Sequence, residues 1–312
     1  MRKNKLSVLI LVLVIALSCT LCGFSSCNGT GEIGETKTIT TLNGKQIEIP
    51  VSPQRIVALT NVGDLLAMGI TPVAGANQFI NENLGFSASG VAVLKNTQPF
   101  DAEEILSYTP DLIIVYQDMS IENIATLEAI APVVPIKSNS LDCSVRLAYI
   151  GELFNLQDKA IEVIGHVDTV ISKAIARFKT LNVEGKTVTV FNYFSGLEII
   201  VSDMFAFNSI IYKTFKMRAP QKVEDEIFGH DGMFAISSEL MGDYIGDYIF
   251  TLMDPLPSDL TELPIWKALK PVKAGAVGYL DMELYLQKDA LYVEKQYDVI
   301  LDLLEAAFGV KA

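Results

Sequence analysis

Histidine is almost absent: His166 and His230 are the only two in 312 residues. A zinc or manganese site ordinarily draws on two or more imidazoles, and His166 falls inside a helical pattern. Capture of a bare transition-metal ion is therefore disfavoured. Arginine is scarce too. Past residue 27 it occurs only at Arg55, Arg146, Arg177 and Arg218, in a chain of formal net charge −13. With no basic patch to offset that charge, such a surface repels nucleic acid. Past residue 27 cysteine is reduced to Cys143, which excludes an internal disulfide there and reads as a small buried apolar residue. No apolar run beyond the N-terminus reaches 18 residues, so no further membrane span is expected. The G-x-S-x-G, G-x-x-x-x-G-K-[ST] and H-E-x-x-H patterns are missing. The glycine-rich stretch GTGEIG at 29–34 has no strand before it and no helix after it. Enzyme chemistry is disfavoured, with a glycosidase-like pair among the scattered acids left open.

What is present begins at the N-terminus. Arg2, Lys3 and Lys5 precede the apolar run LSVLILVLVIAL at 6–17, the length of a signal-peptide h-region and short for a membrane span. Cys19, Cys22 and Cys27 follow. Cys27 stands after Ser25 and Ser26 and before the polar NGTGEIGETK. This arrangement resembles a bacterial lipoprotein signal, in which the cysteine is lipidated and becomes the first residue. Cys19, after Ala16, Leu17 and Ser18, is a competing site, and Cys22, after Leu21, is a poor one. A tilted N-terminal anchor over 6–24 or plain secretion is the alternative. Each reading puts the bulk of the chain outside the cytoplasm. Residues 1–27 hold three basic and no acidic residues, so their removal takes the net charge from −13 to −16.

The remaining chain is expected to divide into a flexible tether at 28–38, an α/β lobe at 39–155, a connecting helix at 156–182 and a second α/β lobe at 183–312. TITTLNGKQIEIP reads as a hairpin around Asn43-Gly44. RIVALT, TPVAGA, DLIIVY and VVPI read as strands separated by short helices, with Asn61 as N-cap of the first and Gly69 at its end. That alternation is the pattern of a parallel sheet with helices on both faces. From Gln157 to Leu181 there is no proline, and Ile161, Ile164, Ile171, Ile175 and Phe178 recur at helical spacing with Val167 and Ala174 beside them. The spacing predicts a stiff helix of about 25 residues, roughly 37 Å long, weakened only at Gly165. Beyond it KTVTVFNYF, LEIIVS, DYIFTL and AVGYL read as strands. AFNSIIYKTF, ISSELMG, PIWKALKPV and YVEKQYDVILDLLEAAF read as helices, with Trp266 in a core position. The fold class is α/β: two three-layer lobes joined by one long helix, with a ligand cleft between them.

In that order, six segments resemble the substrate-binding proteins of bacterial ABC importers for ferric siderophores, haem and cobalamin. They are PQRIVALTNVGDLLAMGITPVAGA, EEILSYTPDLIIV, IAPVVPI, NSIIYKTFKM (with Lys216 where the family commonly has glycine), ISSELMGDYIGDYIF and IWKALKPVKAGAVGYLD. The similarity covers about residues 37–310. It implies a monomeric, extracytoplasmic receptor, held to the membrane by a lipid anchor, that hands an Fe(III)-siderophore to the transmembrane subunits of an ABC permease, with no resident metal or cofactor. It implies ligand contacts from loops after strands: Thr60, Asn61, Asn77, Gln78, Phe79, Tyr116 and Gln117 in the first lobe. In the second they are Tyr193, Phe194, Met204, Phe205, His230, Met282 and Tyr285. It implies permease docking through Asp64, where the family usually has glutamate, and through the matching position near Ser209, which carries no charge.

These contacts are aromatic, amide and methionine groups, poor in Lys and Arg. A ferric tris-catecholate of about three negative charges is costly to bury without cations, whereas a neutral or cationic ferric hydroxamate suits amides and aromatic faces. Lys95, Lys273 and Lys288 are the cations whose placement bears on this choice. Haem or cobalamin capture is the alternative within the fold, with His230 as a candidate axial ligand. An extracytoplasmic hydrolase is the alternative outside it.

Overall fold

The computed structural model describes residues 34–41, 44–76, 90–95, 99–136, 143–203, 206–230 and 232–311. The lipidation candidates Cys27 and Cys19 lie outside them, as do Asn77, Gln78, Phe79, Met204 and Phe205. Residues 35–312 form one compact unit.

Strands β1 (Thr36–Thr40) and β2 (Gln46–Pro50) pair antiparallel as the expected hairpin, with Gly44 at φ 83° in the turn. The first lobe is built on β3 (Ile56–Ala58), β4 (Ala74–Ala76), β5 (Ala92–Leu94), β6 (Leu112–Tyr116) and β7 (Val133–Ile136). They form a parallel sheet in the order β5-β4-β3-β6-β7. Successive residues alternate between two cores: Ile56, Ala58, Leu112 and Ile114 face one, and Val57, Leu59, Ile113 and Val115 the other. Burial on both faces explains why these strands read as unbroken apolar runs. Helices α1 (Val62–Ala67), α2 (Ala102–Ser107), α3 (Ile121–Glu128) and α4 (Cys143–Phe154) complete the lobe. Asp101 and Ser120 cap α2 and α3 with side-chain oxygens, which satisfies otherwise orphaned N–H groups. Cys143 is buried, as expected.

The long helix α5 runs Gln157–Phe178, three residues shorter than expected at its end. There the chain turns so that Leu181 bridges Val310. Its buried stripe is Ala160, Val163, Val167, Val170 and Ala174, and Ile161 is 69% exposed. The expected face is thus rotated by one position: the Ala and Val residues keep the 3-4 spacing, and Ala160 meets α4 so closely that a Cβ on Gly151 would lie 2.8 Å from its own. Ala160, Val163 and Val167 belong to the first lobe's core, Ala174 to the second's, and Ile171 packs against both.

The second lobe holds β8 (Val188–Phe194), β9 (Leu197–Val201), β10 (Met233–Ile236), β11 (Tyr248–Thr251) and β12 (Val277–Tyr279) in the order β10-β9-β8-β11-β12. β8, β11 and β12 are parallel, and β9 is antiparallel to both β8 and β10. AFNSIIYKTF forms α6 (Ala206–Ser209) and then a π-helical turn at Ile210–Thr214, closed by Phe215 N donating to Ile210 O at 2.9 Å. Short helices α7 (Gln221–Glu226), α8 (Met241–Tyr244), α9 (Ser258–Thr261), α10 (Pro264–Ala268), α11 (Lys270–Lys273) and α12 (Met282–Leu286) follow, ahead of the terminal α13 (Val293–Phe308). Trp266 is in the core, 5.5 Å from the Phe191 ring. The segment before α13 makes a second connection between lobes: Ala290 sits in the first lobe's core and Tyr292 in the second's.

Candidate functional site

In the first sheet the chain goes from β3 outward through β4 and β5, then returns to the other side of β3 through β6 and β7. The connections diverge between β3 and β6, and open α/β sheets bind ligands outside the carboxyl ends of the strands at such a point. Thr60 and Asn61 follow β3, Tyr116 ends β6, and Gln117 follows it. In the second sheet the divergence lies between β8 and β11, so Phe194 ends one flanking strand and residues 252–255 follow the other. Met253 and Asp254 were not foreseen as site residues. Their position follows from strand order, which a single sequence does not state.

Phe194 is presented by geometry. Ser195 at φ 53° and Gly196 at φ 81° form the two-residue turn between β8 and β9; both central residues are left-handed, as a twisted hairpin requires. The turn sets Phe194 opposite Leu197, and the two are 64% and 50% exposed. Tyr193 points the other way, buried, its hydroxyl donating to Asp259 at 2.9 Å. Gln117 is exposed and Tyr116 half-buried. Around the carboxyl end of β12 the charge is acidic: burial first, then Asp281, Asp254 and Glu283, hold the Tyr279 phenol above its ordinary value. None of the residues following β8, β11 and β12 up to Leu197, Asp259 and Glu283 is Lys or Arg.

Seven expected site residues are corrected, the buried Tyr193 among them. Asp64 is wholly buried and cannot offer a carboxylate to a partner's surface. It pairs with the buried Arg146 and accepts from Ala290 N at 2.8 Å. Ser209 is 8% exposed within the second-lobe core, so it too is no docking position. Tyr285 is 1% exposed, its ring 5.5 Å from Phe207 and its hydroxyl on Asn208 Oδ1 at 3.3 Å, which makes it a core residue. His230 is exposed but precedes β10, whose first residue Met233 pairs with Val201. On β9 four strand residues, about 13 Å, separate Val201 from Leu197, which lies opposite Phe194.

Thr60 and Asn61 are each 1% exposed and turn inward. Asn61 adopts the left-handed conformation at φ 58° and makes no side-chain cap. Its Nδ2 donates to Asp64 Oδ2 at 3.0 Å and Asp289 Oδ1 at 3.5 Å. Asp289 Oδ2 accepts from Gly63 N at 2.7 Å, and Arg146 donates to the Lys288 carbonyl at 2.8 Å. Two buried carboxylates and one guanidinium therefore lock α1 and α4 to the segment that crosses from the second lobe. Burial and the neighbouring Asp64 charge push the Asp289 carboxyl up to about 7, against the pull of Arg146. Arg146 is held above its ordinary value by Asp64, against burial. A Cβ on Gly63 would lie 2.8 Å from Asp289 Cβ, so only glycine allows this approach. One signal for Arg146 was readable: an arginine set among Cys143, Leu147 and Ile150 on an apolar stripe. Nothing marked Asp289, which follows Lys288 as an ordinary loop acid.

Two α/β lobes bridged by one long helix, with strand carboxyl ends and switch points carrying the exposed contact groups, define a two-lobed solute-binding fold. The family model "Periplasmic binding protein" matches residues 56–284, and the chain belongs to that family, a family of extracytoplasmic solute-binding proteins rather than an enzyme class. It is 28% identical to the iron(3+)-hydroxamate-binding protein YxeB of Bacillus subtilis (strain 168), over 97% of each chain. It is 28% identical to the iron(3+)-hydroxamate-binding protein FhuD of the same organism, over 96% of this chain and 98% of that one. Among solved structures it resembles BSU3320 of Bacillus subtilis, described as a FhuD-fold periplasmic binding protein component of a Fep/Fec-like ferrichrome ABC transporter. The TM-score is 0.73 at 26% identity, covering 85% of this chain and 99% of that one.

Proposed function

We propose that the protein captures a ferric siderophore outside the cell and delivers it to an ABC permease, with neutral or cationic ferric hydroxamates favoured. The observation that carries this reading is the second lobe's binding edge. It presents Phe194 and Leu197 at the hairpin tip and carries Asp254, Asp281 and Glu283 around Tyr279 at the end of β12, with no Lys or Arg at 195–197, 252–259 or 280–283. Aromatic faces and carboxylates attract a cationic chelate and repel a trianionic one. Relatives that span nearly the whole chain and are named for iron(3+)-hydroxamate binding support the same chemistry. Lys95 is paired with Asp101 at 3.8 Å, which offsets the charge that Lys95 brings to the first lobe's edge. Haem capture through His230 is disfavoured by the distance of that residue from Phe194 along the strand.

Anchoring belongs to the same proposal: cleavage before Cys27, or before Cys19, and lipidation of that cysteine would hold the receptor at the membrane surface. The test of function is a panel of ferric siderophores and haem against the full chain, followed by tyrosine and tryptophan fluorescence and by Soret absorption. Saturable quenching by an iron chelate without a shifted Soret band is the expected result. A Soret shift with haem and no quenching by any siderophore would refute it.

A further inference from the structure

A cavity of about 620 Å³ opens at the pole of the second lobe away from the hairpin tip, bordered by Lys186 and Thr187 just before β8 and by Lys179 just after α5. Its volume suits a small organic ligand. The floor is apolar: Phe178 and Phe215 stack with ring centroids 4.5 Å apart and planes 6° from parallel. The rim is basic, with Lys179, Lys186, Lys216, Arg218 and Lys311 all in the lining. Arg218 is neutralised by Glu224 at 2.5 Å. Among the described residues none of the four lysines is in an ion pair, and Glu184 is the acid on the same lining. On the lining four lysines stand against Glu184, and Asp247 beside Thr187 is already paired with Lys270, a local reversal of sign in a chain of net charge −13.

A second feature points the same way. Lys216, the residue after the π-helical turn's cap Phe215, adopts φ 59°, a conformation natural to glycine and uncommon for lysine. Left-handed non-glycine residues and π-turns concentrate at functional sites, and here they bring Lys216 onto the cavity lining.

We propose that this cavity is an anion site, separate from the siderophore cleft, for a small ligand bearing a phosphate group. Free diphosphates and the glycerophosphate headgroup of an anionic lipid share that chemistry. The test is calorimetric titration of the full chain in detergent, at low ionic strength, with pyrophosphate and with water-soluble glycerophosphoglycerol. One saturable site is expected, weakened at least tenfold by the double substitution Lys186→Ala, Lys311→Ala and several-fold by Lys216→Gly. Lys216→Gly relaxes the backbone and should leave the thermal midpoint unchanged or raised, so lost binding in that variant is not lost folding. Lys45→Ala in the first lobe should change nothing. The better of the two ligands identifies the source. Absence of saturable binding by both, or equal weakening by Lys45→Ala, overturns the proposal.

Discussion

The two lobes solve one packing problem with different side chains. The first buries aliphatic residues on both faces of an all-parallel sheet, and among the described residues no Phe, Tyr or Trp is fully buried in its two cores. The second is built on Phe191, Phe207, Phe250, Trp266, Tyr285 and Tyr292 and accepts antiparallel strands on one side of its sheet. Aliphatic strands interdigitate at short range and leave no polar atom to satisfy. Aromatic ones bring hydroxyls that need partners, and Tyr285 finds one in Asn208. The second lobe is also polar end to end in charge, acidic where its strands finish and basic where they begin. The first lobe concentrates its buried charge at the junction, where Asp64 and Arg146 meet the crossing segment.

Breaking that junction is the strongest way to test the comparison. Arg146→Ala leaves Asp64 and Asp289 buried without their counter-charge, and loss of one partner of a buried pair costs about 3–5 kcal/mol. Denaturant unfolding should show that loss. An unchanged midpoint would mean the junction carries no stability. Gly63→Ala should cost less, about 1–3 kcal/mol for an overpacked contact, read in the same assay, because the added methyl meets Asp289 and the Tyr292 ring.

The smaller effect is in pH. Asp289 is raised in the folded protein to about 7 from an unfolded value near 3.8, so between these values the folded state binds the extra proton. Stability therefore falls as pH rises from about 4 to 7, and it is flat above. Asp289→Asn should flatten that slope. Parallel pH profiles for the two proteins would show that Asp289 is already ionised when folded.

The outline of this molecule was legible because its strongest signals are periodic. DLIIVY read as an apolar strand, and the proline-free periodic stretch from Gln157 to Leu181 as a long helix. β5 and β10 were missed because three or four residues such as AVL and MFAI carry too little alternation to stand out. The site was less legible. Phe194 was readable as an aromatic at the end of a strand. Tyr285, an aromatic in an equally plausible loop, is core because α12 turns it toward Phe207. Asp64 was expected at a permease-docking surface and lies instead buried in the first turn of α1. Its partner lies 82 positions away, and only tertiary structure brings a basic residue onto it. Charge segregation within the second lobe depends on which strand ends coincide, and sequence order does not contain that.

The acidic binding edge is tested most directly by paired titrations of one cationic ferric tris-hydroxamate and one ferric tris-catecholate, each in low and in high salt. The hydroxamate should bind at least tenfold more tightly in low salt, with the gap narrowing as salt screens the carboxylates. Tighter binding of the catecholate, in the same buffer and at both salt concentrations, would contradict it.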